Sequence, residues 1–208
     1  MKSFFITFEG PEGSGKTTQI KFLTEFLQSK GYEIFQTREP GGTEIGDKIR
    51  QILLDPENIE MDPVTEIFLY EAVRVEHVRK KIVPALKSNK VVISDRFYDS
   101  TLAYQGFARG LPPDQVETCN NFAVGDTHPQ LTLLLDIPTG VSSERVENRG
   151  AVDRIESEGQ EFHEKVRNGF LKIAENEPDR FIVIDGTKSI ESIKEKIRLE
   201  VSRRFNID

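Results

Sequence analysis

The sequence predicts an α/β fold in which helices cover both faces of a five-stranded parallel sheet. Five short β-type runs alternate with helical patterns along the 208 residues, and the runs starting at 91, 131 and 181 are almost continuously apolar. The first run leads directly into a glycine-rich loop and a helix. Continuous apolar strands are typical of a parallel sheet buried on both faces, and regular alternation of strands and helices indicates the same class.

The predicted strands cover Phe4 to Phe8, Glu33 to Thr37, Val91 to Asp95, Leu131 to Asp136 and Phe181 to Asp185. Helical periodicity predicts helices over 16–29, 43–54, from 63 onward, and over 100–108, 114–124, 160–175 and 190–205. In such a sheet a ligand binds beyond the carboxyl ends of the strands.

The helix from Pro63 follows Asp62, a good N-cap, and should bend or end at Pro84. On it we expect the following apolar residues to face the core: Val64, Ile67, Phe68, Val75, Val78 and Ile82. The polar stretch 140–159 predicts a short mobile lid on a single domain spanning 1–208.

Composition narrows the class of protein. A net charge of −7 argues against nonspecific binding of nucleic acid. The lone Cys119 excludes an internal disulfide framework, and His77, His128 and His163 lack the spacing of a transition-metal site. No apolar stretch approaches the roughly 18 residues of a membrane span, and the early first strand leaves no room for a signal peptide. We therefore expect a cytoplasmic protein with no membrane or nucleic-acid partner.

Residues 10–17, GPEGSGKT, match the phosphate-binding pattern G-x-x-x-x-G-K-[ST]. Lys16 offers a positive charge to β and γ oxygens, and Thr17 offers a hydroxyl to Mg²⁺. The competing explanation, a glycine-rich turn ahead of a helix, does not account for the strand, loop and helix in register. The phosphates of a nucleoside triphosphate are expected on Gly10, Pro11, Glu12, Gly13, Ser14, Gly15, Lys16 and Thr17.

Asp95 ends an apolar strand and Arg96 follows it at once. An acid at this strand end can reach Mg²⁺ or its water, and the neighbouring guanidinium can bind a pair of phosphate oxygens. The alternative is an ion pair that only neutralises a strand end. Asp136 also ends a strand, but Ile137 and Pro138 follow it, so we rank Asp95 above it.

Two further candidate binding clusters lie at an expected strand end and on an expected helix. Arg38, in the segment TREPGGT over 37–43, should project from a strand end into the same crevice, unless the segment is an ordinary Pro-Gly turn. Tyr70 and Arg74 share one helix face and could recognise a base by stacking and hydrogen bonds, or form a surface cation–π contact.

Three arginines gather in the lid stretch at Arg145, Arg149 and Arg154. The variable positions of the phosphate loop carry no basic residue. A lid arginine is therefore the available extra cation for charge on a transferred phosphoryl group, where such residues are worth about 10³ to 10⁵ in rate. The alternative is a solvated charged helix.

With these motifs the chain resembles the thymidylate kinases over essentially its full length. The similarity lies in Phe8-Glu9-Gly10, in TREPGGT over 37–43, in Asp95-Arg96-Phe97 with Ser100, and in AYQG over 103–106. It implies a P-loop NTPase-type sandwich that moves the γ-phosphoryl of ATP to dTMP, giving dTDP for dTTP biosynthesis. The family also implies Mg²⁺ with ATP and a homodimer.

The resemblance also implies residue roles. Arg96 and Arg38 would hold the dTMP phosphate, with Ser100 beside them, and Asp95 would serve Mg²⁺ and the acceptor. Tyr70 stands where the family usually stacks a Phe on thymine. Arg74 would bond a thymine carbonyl, and Thr101 and Gln105 would lie near the base edge. Tyr104 would crowd the 2′ position, and Glu12 would meet the 3′-hydroxyl. Arg149 or Arg154 would be the catalytic lid arginine.

Two alternatives stay open at this point. The same scaffold could serve another small-molecule kinase of the shikimate or adenylate type. A nucleotide-dependent switch is disfavoured because the guanine-binding pattern Asn-Lys-x-Asp is missing, since 89–92 reads Asn-Lys-Val-Val.

Overall fold

A computed structural model describes residues 3–147 and 153–207. Within these ranges five strands form one sheet in the order β2-β3-β1-β4-β5, and all four pairings are parallel. The strands are β1 Phe5–Glu9, β2 Ile34–Arg38, β3 Val91–Asp95, β4 Leu131–Asp136 and β5 Phe181–Asp185. The predicted strands are confirmed, with β1 and β2 each shifted by one residue.

The helices of the described ranges are α1 Lys16–Ser29, α2 Glu44–Leu54, α3 Pro63–His77, α4 Val83–Lys87, α5 Tyr98–Thr101, α6 Pro113–Val124, α7 Thr139–Glu147, α8 Gln160–Asn176 and α9 Ile190–Phe205. Side-chain caps explain where several begin. Thr43 accepts a hydrogen bond from Gly46 N ahead of α2, and Asp62 accepts from Val64 N ahead of α3.

Two π-helical segments depart from the expected pattern. The helical path does not end at Pro84; α3 gives way to a π-helix over Val78–Ile82, and α4 begins at Val83. Pro84 is the second residue of α4, directly after the π-helical segment. The helix predicted over 100–108 is instead α5 followed by a π-helix over Leu102–Ala108.

The predicted core face of α3 is wrong at two positions. Val64 is 49% exposed and Phe68 is 62% exposed, whereas Glu66, Arg74 and His77 are buried. Periodicity shows that a helix has an apolar and a polar face, but it does not show which of them is buried. Much of the polar face of α3 is buried because it meets the cavity and the β2–α2 segment.

Apolar residues cover both faces of the sheet. Side chains of alternate strand residues point to opposite faces, so Ile6 and Phe8 pack with α1 and α9. Phe5 packs on the other side with Val92 and Phe97. A further cluster joins α8 to the π-helix after α5. The prediction of helices on both faces is confirmed.

Parallel pairing brings the strand ends to one edge of the sheet. In register, Arg38 lies opposite Asp95, and Asp95 lies opposite Phe8, just before the phosphate loop. The motifs of β2, β1 and β3 therefore meet at this edge. The predicted lid includes α7, the undescribed residues 148–152, and turns over 153–158. No helix in the described parts of the chain is long and apolar enough to cross a membrane.

Candidate active site

A cavity of about 440 Å³ opens at the carboxyl edge of the sheet. The phosphate loop, the β2–α2 segment, α3 and the residues after β3 surround it. The predicted site residues that line it are Glu12, Gly13, Ser14, Gly15, Lys16, Thr17, Arg38, Tyr70, Arg74, Asp95, Arg96, Ser100, Thr101, Tyr104 and Gln105. Predicted residues from four separate stretches of sequence thus share one cavity.

The phosphate loop depends on glycine backbone geometry. Gly10 has φ 132°, and a Cβ there would fall 2.3 Å from Leu135 O, so another residue would clash with β4. The amine of Lys16 lies within the loop and donates to Gly10 O at 3.1 Å and Pro11 O at 3.0 Å. Burial, followed by the charge of Arg96, lowers the pKa of Lys16. A bound anion would offset both effects.

The polar groups of the loop fit a phosphate and its metal ion. The Ser14 hydroxyl is buried and has no hydrogen-bond partner within the described chain. The Thr17 hydroxyl and the Asp95 carboxylate line the same cavity and are hard oxygen donors of the kind Mg²⁺ takes. Among the described residues no group of three His, Cys, Asp or Glu could hold a metal by itself. An Mg²⁺ ion would therefore complete its shell with phosphate and water oxygens.

Arg96 is held from several directions. Its φ is 68°, so it turns the chain sharply as β3 ends. Nη2 donates to Glu12 Oε1 at 2.6 Å and Nη1 donates to Ser100 Oγ at 3.0 Å, and the guanidinium lies 5.2 Å from the ring centre of Tyr104. Burial alone would lower the pKa of Arg96, but Tyr104, Glu12 and other acids hold it well above its usual value.

Glu9 supports the turn after Arg96 and was noted in the sequence only as part of a motif. Its fully buried carboxyl group accepts from Phe97 N at 2.8 Å and from Ser100 Oγ at 2.6 Å. Burial, with the nearby charge of Asp99, raises the pKa of Glu9 to about 8. Glu9 thus fixes the backbone that presents Arg96.

Arg74 is 1% exposed, so the alternative of a surface cation–π contact is wrong. Its Nε donates to Glu39, Nη1 donates to Glu71 and Asn120, and Nη2 donates to Thr101. A guanidinium has five N–H groups. One N–H of Nη2 therefore has no recorded partner among the described residues, and Arg74 lines the cavity.

A buried network missed by the sequence analysis lies behind the β2–α2 segment. His77 Nδ1 contacts Glu39 Oε1 at 2.9 Å, and Nε2 contacts Thr37 Oγ1 at 2.7 Å. Arg50 was also missed: it lines the cavity with Arg38 and donates to Pro40 O at 2.7 Å. Burial, and then the charge of Arg38, lowers the pKa of Arg50. Only the three-dimensional contacts assign these residues to the site.

The lid arginines occupy different positions. Arg154 is 1% exposed and does not line the cavity; its Nε donates to Leu53 O at 2.8 Å and its Nη2 lies 2.6 Å from Glu66 Oε2. Arg149 lies outside the described residues. Arg145 Nη1 donates to Gly13 O at 2.9 Å, so α7 rests against the phosphate loop.

Asp136, the acid ranked below Asp95, is engaged elsewhere. Arg167 of α8 donates to both of its carboxylate oxygens, at 2.7 and 2.9 Å. The partner is distant in sequence, which is why the residues adjacent to Asp136 did not reveal it.

A family model described as "Thymidylate kinase" matches residues 8–197. The chain belongs to the thymidylate kinase family. It is 48% identical to the thymidylate kinase of Geotalea uraniireducens (strain Rf4) over 207 residues, which cover 97% of each chain. It is also 48% identical to that of Geobacillus sp. (strain WCH70) over 195 residues, covering 93% of each.

A solved structure agrees with this assignment. The crystal structure of thymidylate kinase from Ehrlichia chaffeensis matches with a TM-score of 0.78 at 34% identity, covering 97% of this chain and 99% of that one. The resemblance to thymidylate kinases and the P-loop NTPase-type fold, both predicted from the sequence, are confirmed.

Proposed function

We propose that the cavity binds dTMP next to ATP and that this thymidylate kinase family member transfers the γ-phosphoryl of ATP to dTMP, giving dTDP. The observation that carries the proposal is the family match over 8–197 together with a cavity that combines a phosphate loop with Lys16, Arg38, Arg50 and Arg96. These cations suit a site that must hold two anionic nucleotides close together.

The reaction needs positioning more than proton transfer. A phosphate monoester has its second pKa near 6, so the dTMP oxygen is already anionic near neutral pH. Arg38 and Arg96, supported by Arg50, orient the acceptor phosphate, while Lys16 and the loop amides hold the donor. Catalysis then consists of in-line alignment and neutralisation of the charge on the transferred group.

Mg²⁺ is part of the proposal. Thr17 and Asp95 would hold it or its water ligands, and it would neutralise oxygens of the donor phosphates. Two observations support this placement. The buried Ser14 hydroxyl has no hydrogen-bond partner in the described chain, and Thr17 and Asp95 line the same cavity.

The acceptor nucleoside would occupy the α3 side of the cavity. Tyr70 offers a plane for stacking on thymine, Arg74 an N–H for a carbonyl, and Tyr104 bulk near the sugar 2′ position. Glu12 would meet the 3′-hydroxyl. Ser100, Thr101 and Gln105 line the same cavity and complete the proposed acceptor site.

Of the two lid arginines, we assign the catalytic role to Arg149. Moving Arg154 onto a phosphate would break its contact with Glu66 and leave a buried carboxylate with one charged partner fewer. Arg149, the other lid arginine, is therefore the candidate, and closure of a lid over 140–159 of a single domain would bring it to the transferred group.

We further propose a homodimer. Neighbouring helices α2, α3 and α6 pack together and expose large apolar side chains at Ile45, Ile52, Val64, Phe68 and Phe122. A face of this kind on a 208-residue chain suits an isologous contact with a second copy. Sedimentation should give a dimer for the wild type and a monomer for Phe68→Asp. Leu199→Asp, at an exposed apolar position on α9, should remain dimeric; a monomeric wild type would contradict the proposal.

A cytoplasmic location completes the proposal. A single cysteine and the use of free nucleotides support it.

A coupled assay of ADP release with dTMP, dUMP, dCMP, AMP and shikimate tests the function. We expect the highest kcat/KM with dTMP. Faster turnover of another acceptor would replace the substrate assignment, and slow ATP hydrolysis that no monophosphate accelerates would favour a nucleotide switch.

A further inference from the structure

Glu66 of α3 is a fully buried carboxylate next to the acceptor side of the cavity. Gln105 Nε2 donates to its Oε1 at 2.7 Å, and Arg109 donates to both oxygens at 3.3 Å. Arg154 Nη2 lies 2.6 Å from Oε2. Each of these neighbours is a donor, so both oxygens of the carboxylate serve as acceptors.

This contact fixes the orientation of the Gln105 amide. An amide has a donor end and an acceptor end, and only the Nε2 end can face a carboxylate that also receives two guanidinium groups. Gln105 lines the cavity, and its Oε1 has no recorded hydrogen-bond partner in the described parts of the chain. The acceptor end of Gln105 is therefore available to a ligand.

The same cavity also offers a donor. Arg74 lines it and keeps one N–H of Nη2 without a hydrogen-bond partner within the described ranges. Thr101, which accepts from Nη2, lies four residues before Gln105 in the chain. A pyrimidine edge with a carbonyl at C4 and a protonated N3 matches a donor beside an acceptor. Cytosine reverses both groups, because it carries an amino group at C4 and an unprotonated N3. The cavity thus favours a thymine-type edge.

We infer that Glu66 is a positioning residue that holds the Gln105 amide with its oxygen toward the base and thereby sets the preference for a thymine-type over a cytosine-type edge. The inference rests on the proposed function, with dTMP as acceptor. It assigns the discrimination to a residue that does not itself touch the substrate.

The test is Glu66→Gln, measured as the ratio of kcat/KM for dTMP to kcat/KM for dCMP. A neutral amide at 66 can offer its own NH₂ group to Gln105, which lets Gln105 turn its Nε2 toward the base. We expect the ratio to fall by about 10- to 100-fold, the size of one mispaired buried polar group. The KM for ATP should change by less than about threefold, because the loss is confined to the base edge.

Arg109→Met is the matched control. It removes a partner of the same carboxylate but keeps the Glu66–Gln105 contact, so the dTMP to dCMP ratio should stay at the wild-type value even where the melting temperature falls. An unchanged ratio in Glu66→Gln, or an equal fall in both variants, would overturn the inference and leave Glu66 a purely structural residue.

Failure of the proposed function is detected separately, because the wild type must first turn over dTMP. Should Glu66→Gln not fold, the double variant Glu66→Gln with Arg154→Met removes a cation together with the charge it pairs with. We expect the dTMP to dCMP ratio of the double variant to fall by the same factor relative to Arg154→Met alone. An unchanged ratio would overturn the inference.

Discussion

Arg96 at the end of β3 donates to Glu12 of the phosphate loop across 2.6 Å. This ion pair joins the residues after β3 to the phosphate loop. Nη1 of the same guanidinium donates a second hydrogen bond to Ser100 Oγ at 3.0 Å. Two acceptors of the protein therefore fix the fork geometry of Arg96.

Arg96→Lys tests the value of that fork. Lysine keeps the charge but cannot contact Glu12, Ser100 and a phosphate from one planar group. We expect the KM for dTMP to rise by roughly tenfold or more, with a smaller change in the KM for ATP, in steady-state assays that vary each substrate. Equal changes in both constants would remove Arg96 from the acceptor site.

Arg74→Ala should weaken dTMP binding and stability together. It removes the N–H offered to the base. It also leaves Glu39 and Glu71 buried without their guanidinium partner, which lowers the free energy of unfolding by about 3 to 5 kcal/mol for a buried pair. We expect the KM for dTMP to rise far more than the KM for ATP.

Arg180→Ala is the control for the Arg74 variant. Arg180 is paired with the buried Asp99 but does not line the cavity, so its loss should lower stability in urea unfolding without a selective rise in the KM for dTMP. A similar rise in both variants would show that lost stability, and not lost base recognition, explains the effect.

Arg149→Ala and Arg154→Ala should separate chemistry from structure. We expect Arg149→Ala to lower kcat by on the order of 10³ while KM values change little, as for other arginines that neutralise a transferred phosphoryl group. Arg154→Ala should chiefly lower the melting temperature, because Glu66 loses a close cation. If both variants keep the wild-type kcat, the assignment of a catalytic lid arginine is wrong.

Glu9 should make stability depend on pH. Burial, with the charge of Asp99, raises its pKa from 4.5 to about 8 in the folded chain. The folded state then favours the protonated carboxyl, so the stabilisation is fully present below about pH 4.5 and is lost as pH rises through 8. The unfolding free energy of the wild type, relative to Glu9→Gln, should fall across this window in urea titrations at several pH values.

The exposed Glu161 provides the comparison for Glu9. Its hydrogen bond from Lys165 lowers its pKa, so the difference between wild type and Glu161→Gln should be level from pH 4.5 to 8. A level difference for Glu9→Gln as well would contradict the buried, protonated state of Glu9.

Local patterns were sufficient to predict the sheet and most of its motifs. Strand alternation and the GPEGSGKT loop depend on neighbours in sequence, and both were found where expected. The predicted inward face of α3 was wrong at Phe68, because periodicity does not show which face of a helix is buried. Arg50, His77 and the Arg167 partner of Asp136 were missed because their contacts join residues 10 to 40 positions apart.

The most direct test of the central claim follows phosphorus from donor to acceptor. Wild-type protein, MgATP labelled at the γ-phosphate and unlabelled dTMP would be mixed and the nucleotides separated. We predict label in dTDP, no transfer without dTMP, and a drop of orders of magnitude for Lys16→Met, which lacks the cation of the phosphate loop. Label released only as inorganic phosphate, or equal transfer by Lys16→Met, would contradict the account.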